Sequence, residues 1–221
     1  MQTHFEMEIE KLKKRIIKMF NLTGSQLDKA FPILLNKQIE SIETIKADEN
    51  KIDEIDIKID MMCQKLFALA QPVASDLRFI MGSLGISNEI ERIGDMAYDL
   101  SKSHPTYTGY VKFINKYNIP QLLFDTRNLF NQILEAYTNS NSQLSLEIIE
   151  ICKKIRYNKD ILNEIVTEMT QNSEIILIAS DLILVINKLE RIVGHIENIA
   201  ESVVFIVEGK IVKHPNLESK K

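Results

Sequence analysis

Tryptophan is absent from this 221-residue chain, and glycine and proline occur only seven and five times. With so few breakers, and with Leu, Glu, Lys, Met and Ala abundant, the composition argues for mostly helix, and no stretch reads as strand. Cysteine is scarce too. Cys63 and Cys152 stand alone, with no C-x-x-C spacing, and predict two free thiols in a reducing cytoplasm rather than a disulfide framework. Long apolar runs are missing. IILIASDLILVI at 175–186 is short and interrupted by Asp181, so it predicts a buried helix and not a membrane span. The opening MQTHFEMEIEKLKKRIIKMF is amphipathic and has no signal-peptide core, so no export is expected. The net charge of −4 excludes general attraction to nucleic acid or anionic membrane.

Catalytic signatures are lacking as well. There is no G-x-x-x-x-G-K-[ST] and no G-x-S-x-G. None of the four histidines follows a Glu by three residues, which excludes the E-x-x-H pairs of di-iron bundle enzymes.

What is present is helical periodicity. With 45% apolar and 26% charged residues the chain can bury a real core, as one long domain or two of about 100 residues. Leu12, Ile16, Met19 and Phe20 mark a first helix, which NLTGSQ loosens without ending and which Pro32 is expected to kink. Ile52, Ile55, Ile59 and Met62 form the buried stripe of a second helix. Gln71-Pro72 breaks it, and a third helix runs from Leu77 to about Lys102. SKSHPTYTGYVKFINKYNIPQ reads as a linker, and then the plan repeats: one helix at about 121–138, a long one at about 143–170, and a last one at about 174–208 capped by Gly209. NEIERIGDMAYDL at 88–100 is echoed by NKLERIVGHIENI at 187–199. The expected architecture is all-α, two tandem three-helix bundles: 1–103 as the first repeat, 104–120 as linker, 121–211 as the second repeat and 212–221 as a polar tail.

Glu91, Asp95 and Asp99 recur every four residues, so each drifts only about 40° from the last along one helix stripe. Ile86, Ile90, Ile93 and Ala97 lie roughly opposite, so the stripe faces away from the core seam. Carboxylates at this spacing repel one another by a few tenths of a kcal/mol per pair, and no lysine or arginine relieves them on that face. The preceding helix carries its own row, Glu49, Asp53, Asp56 and Asp60. Two antiparallel helices would bring the rows side by side, as hard oxygen donors for a multivalent cation. The residues alone leave two readings open, a solvated face or a cation site. In the second half Gly194 replaces Asp95, while Glu190 and Asn198 remain with His195 beside them. His195 is there either as a substitute ligand or simply as an exposed side chain.

AQPVASDLR at 70–78, followed by ERIGD at 91–95, resembles the PhoU family of bacterial phosphate-uptake regulators. The motif Q-P-x-A-x-D-L-R is met by Gln71, Pro72, Ala74, Asp76, Leu77 and Arg78, and E-x-x-x-D by Glu91 and Asp95. Cys63 falls where that family often has a cysteine. The likeness runs through both repeats and is looser in the second. It implies a PhoU-like fold and a non-enzymatic adaptor with no catalytic residue. The adaptor would be cytoplasmic and recruited peripherally to the inner face of the membrane. Its partners would be the ATPase subunit of a phosphate ABC transporter and a phosphate-sensing histidine kinase, and with phosphate plentiful it would restrain uptake and the starvation response.

The resemblance also implies a divalent or trivalent metal cluster (iron, zinc, magnesium or manganese). Its ligands would be Glu91 and Asp95 with Glu49 and Asp53, and Asp99 would flank them. In the second repeat Cys152 and Arg156 stand where carboxylates are expected and Gly194 removes another, so at most one metal site per chain is expected, in the first half. Glu190, His195 and Asn198 are the weaker second candidates. Homodimerisation is left open, as are a metal-dependent hydrolase or oxidase and an accessory role at another anion transporter. The hydrolase would need a base and an open coordination position, and the sequence offers only carboxylates.

Overall fold

A computed structural model describes residues 4–36, 41–70, 73–103, 109–155 and 159–212. Among these residues there is no strand. The first repeat comprises α1 (His4–Leu34), α2 (Ile42–Ala70) and α3 (Ala74–Ser101). A short helix α4 (Tyr110–Lys116) leads into the second, made of α5 (Ile119–Thr138), α6 (Ser142–Ile155), α7 (Lys159–Gln171) and α8 (Ile176–Glu208). These are two tandem three-helix bundles of the PhoU-like fold, with α6 and α7 together taking the middle place of the second.

The expected apolar stripes are the core. Leu12, Ile16, Met19 and Phe20 of α1 are fully buried, as are Ile59 of α2 and Ile86, Ile90, Ile93 and Ala97 of α3. Side chains buried at three- and four-residue spacing are what fixes one helix face against its neighbours. NLTGSQ stays helical, with Thr23, Gly24 and Gln26 buried. Gly24 lets α5 cross close by, since a Cβ there would stand 3.2 Å from Arg127 Nη2. Pro32 occupies the last turn of α1, two residues before its end, where a proline removes little backbone hydrogen bonding.

One expectation changes. Residues 110–116 of the expected linker form α4, whose Tyr110, Phe113 and Ile114 are buried against the second bundle. The expected long helix at 143–170 is described over Ser142–Ile155 and Lys159–Gln171, and residues 156–158 between them lie outside the described residues. Gly209 does cap α8, in the left-handed conformation at φ 72°. The Gln71-Pro72 break, Arg156 and the tail from 213 onward lie outside the described residues, as do 104–108.

The two repeats share one continuous core. Helix α3 runs antiparallel to α8, so that Gly82 meets Ile206, Glu89 meets Asn198 and Asp99 meets Lys188. The approach is tight at Gly82, where a Cβ would fall 2.4 Å from Ile206 Cγ1. Both cysteines are buried in this core, and burial, then the nearby Asp60, pushes the Cys63 thiol up to about 12. Thiolate is the reacting species, so both should stay silent to a disulfide reagent in the native protein. Denatured protein is expected to titrate two thiols within minutes; comparably fast reaction of native protein would show that these helices open.

Candidate metal centre

Helices α2 and α3 lie antiparallel. Ser87 Oγ of α3 donates to Asp56 Oδ1 of α2 (2.5 Å), and further along Lys46 of α2 lies over the Tyr98 ring of α3. This register sets the two carboxylate rows against each other. Asp53 of α2 and Glu91 and Asp95 of α3 each offer an oxygen, all within 4.8 Å of one another. Glu91 and Asp53 are partly buried and Asp95 is exposed, so the group sits in a surface groove, open to solvent on one side.

The electrostatics are those of acids held too close. Burial, then Asp95, Asp56 and Asp53, pushes the Glu91 carboxyl up to about 7. Asp53 is raised by burial and by Glu49. Asp95 is raised by burial and by the adjacent carboxylates of Glu49, Asp53 and Asp99. Around a cation at about 2.1 Å, oxygen ligands stand about 3–4 Å apart. Asp53, Glu91 and Asp95 therefore need little movement to converge on one hard divalent ion, and the donor set fits it.

The other candidates fare differently. Glu49 is buried beside this group but accepts from Lys46 Nζ at 2.5 Å. Asp99 turns to Lys102, 2.7 Å away, and lies 3.9 Å from Lys188 of α8. The lysines were legible only through their spacing: Lys46 precedes Glu49 by three residues and Lys102 follows Asp99 by three, both helix-neighbour positions.

In the second repeat the candidate residues do not form a matching set. His195 is not a free surface side chain. Its Nδ1 stands 2.5 Å from Glu89 Oε2 of α3, and Asn198 Nδ2 donates to the same oxygen at 3.2 Å. Burial would raise Glu89, but these bonds from His195 and Asn198 outweigh it and hold the carboxyl below its ordinary value. Both residues thus tie the repeats together. Glu190 lines a shallow cavity of about 500 Å³ together with Asn187, Arg191, Gly194, His195 and Asn198. Cys152 is fully buried, and Lys153 beside it hydrogen-bonds Glu150 and feels Glu197 and Glu201, which raise its pKa. A Cβ at Gly194 would meet nothing within 4 Å. Gly194→Ala is therefore expected to stabilise the protein by about 1 kcal/mol through helix propensity alone. That is about 2–4 °C in the melting temperature, read by circular dichroism.

The chain matches the PhoU domain over residues 16–103 and again over 119–203. It is 29% identical, over 96% of its length and 97% of the relative, to the phosphate-specific transport system accessory protein PhoU homolog of Aquifex aeolicus. It is 26% identical to the PhoU accessory protein of Serratia marcescens, over 95% of this chain and 87% of that one. The crystal structure of PhoU from Pseudomonas aeruginosa superposes with a TM-score of 0.84 at 25% identity, covering 94% of this chain and all of the other. PhoU of Streptococcus pneumoniae superposes at 0.81 and 23% identity, over 95% and 99% of the two chains. With both repeats matched in sequence and the whole bundle pair matched in shape, this chain belongs to the PhoU domain family.

Proposed function

We propose that the chain is a non-enzymatic accessory regulator of a phosphate transport system. In this reading it stands between the transporter's ATPase subunit and a phosphate-sensing histidine kinase, at the inner face of the membrane. When phosphate is plentiful it restrains uptake and holds the kinase inactive. The observation that carries the reading is the match to PhoU accessory proteins through both repeats. It is supported by surface chemistry that, among the described residues, offers clustered acids. No helix of the described residues is long and apolar enough to cross a membrane, which suits recruitment through partners.

Asp53, Glu91 and Asp95 would hold one divalent cation. When bound, it neutralises the cluster and clamps α2 to α3. The protein's own part is to hold three oxygens in one groove: Ile52, Ile59, Ile90 and Ile93, buried on the other sides of the same two helices, fix the rows in register.

Deleting the gene tests the regulatory reading. A phosphate-starvation reporter is expected to stay on in rich phosphate and to return to normal on complementation. Normal repression in the deletion strain would overturn it.

A further inference from the structure

Two lysines interrupt the carboxylate rows at one end. Lys46 Nζ binds Glu49 Oε2 at 2.5 Å, and Lys102 Nζ lies 2.7 Å from Asp99 Oδ1. Both ammonium groups also lie over the ring of Tyr98, at 4.9 and 4.2 Å from its centroid. Tyr98 stands between Asp95 and Asp99 on α3, so the ring keeps both cations at the edge of the groove. Asp53, Glu91 and Asp95 stay together as the three-oxygen group, while Glu49 and Asp99 each face an ammonium group already in place.

We propose that Lys46 and Lys102 are built-in counter-ions that withhold Glu49 and Asp99 from the metal, so that this chain holds a single divalent cation on Asp53, Glu91 and Asp95. The inference rests on the metal reading above and adds what limits it. A cation entering the groove meets the three carboxylates of Asp53, Glu91 and Asp95 and is repelled by the Lys46 charge next to them. A fourth ligand, Glu49, joins only if that lysine is displaced. Asp99 is held more firmly, because Lys188 of the other repeat also faces it.

The test is a titration of chelator-stripped, full-length protein with Mn²⁺, by calorimetry for affinity and elemental analysis for stoichiometry. Wild type is expected to bind one Mn²⁺ per chain. Lys46→Met removes one positive charge beside the ion and frees Glu49, and should tighten binding about tenfold. Lys102→Met should change it by less than about threefold, since Lys188 remains. Lys46→Arg should restore wild-type affinity and guards against a folding effect; the Lys46 side chain is close to half exposed. Equal or weaker binding by Lys46→Met, or two or more ions per wild-type chain, would overturn the counter-ion proposal and leave the metal reading standing. No Mn²⁺ on wild type or on any variant would overturn the metal reading itself.

Discussion

Alanine at both Glu91 and Asp95 is expected to abolish metal binding by the purified protein and to leave its helical content intact. The two side chains supply two of the three oxygens that converge in the groove, and Asp53 alone is a weak site for a divalent ion. Glu91 is only partly buried and Asp95 is exposed, so both can be shortened without opening the core. A thermal melt supplies a second reading. With metal at about 100 times its Kd, wild type gains about 2.7 kcal/mol, or roughly 5–10 °C, and the double variant gains nothing. Unchanged stoichiometry in the double variant would sink the assignment.

The same substitution changes the pH profile of the metal-free protein. Glu91 has a folded-state value of about 7, above its ordinary 4.5. A carboxyl raised by folding stabilises the native state below its unfolded value, and that contribution is lost as pH rises through the folded one. Asp95 and Asp53 are shifted in the same direction. Metal-free wild type therefore loses stability between about pH 4.5 and 7 relative to the double variant. Asp48 works in the opposite sense. Its burial is outweighed by hydrogen bonds from Lys29 and Lys51, which hold it below its ordinary value, so its contribution is present at neutral pH and lost on acidification. Asp48 is unchanged in the double variant, so the difference between the two pH profiles isolates the groove.

Much of this was legible because helices write their packing into local spacing. The apolar stripes of α1, α2 and α3, the Gly209 cap and the antiparallel facing of the two acid rows follow from three- and four-residue recurrence and one proline turn. The PhoU likeness came from a short run of residues whose order is specific. What stayed hidden was long-range or unmarked. Nothing local says that His195 reaches Glu89 across the repeats, since the two are far apart in sequence and meet only once α3 packs on α8. Helix α4 hid among proline, glycine and tyrosine in a stretch with little periodicity; its Tyr110 counts as core because α5 and α8 cover the helix. Asp99 reads as a flanking ligand through the family resemblance, and Lys188, which faces it, lies on another helix.

The shared core makes a second large effect predictable. Phe20 of α1 is fully buried, and its ring lies 5.5 Å from that of Phe130 and 5.9 Å from that of Tyr137, both on α5 of the other repeat. Gly24, one turn on, lets α5 come this close, and Arg127 of α5 grips Asp28 of α1 through two hydrogen bonds of 2.7 and 2.8 Å. Phe20→Ala removes a ring that both repeats pack on, and is expected to cost about 3–5 kcal/mol. That is a large part of the roughly 5–15 kcal/mol that holds a domain folded, and lowers the melting temperature by roughly 10 °C. Because the ring belongs to both bundles, the loss should lower the whole unfolding curve and not one half of it. Far-UV circular dichroism reports all helices, and near-UV signals from the tyrosines report the packing around α4 and α5; the two are expected to move together in a single transition. Two separated transitions, with Phe20→Ala shifting only one, would show that the repeats fold independently. A single transition means that a cation clamping α2 to α3 in the first repeat stabilises the second repeat through α1 and α8. A surface site in one half is then able to alter the stability of both.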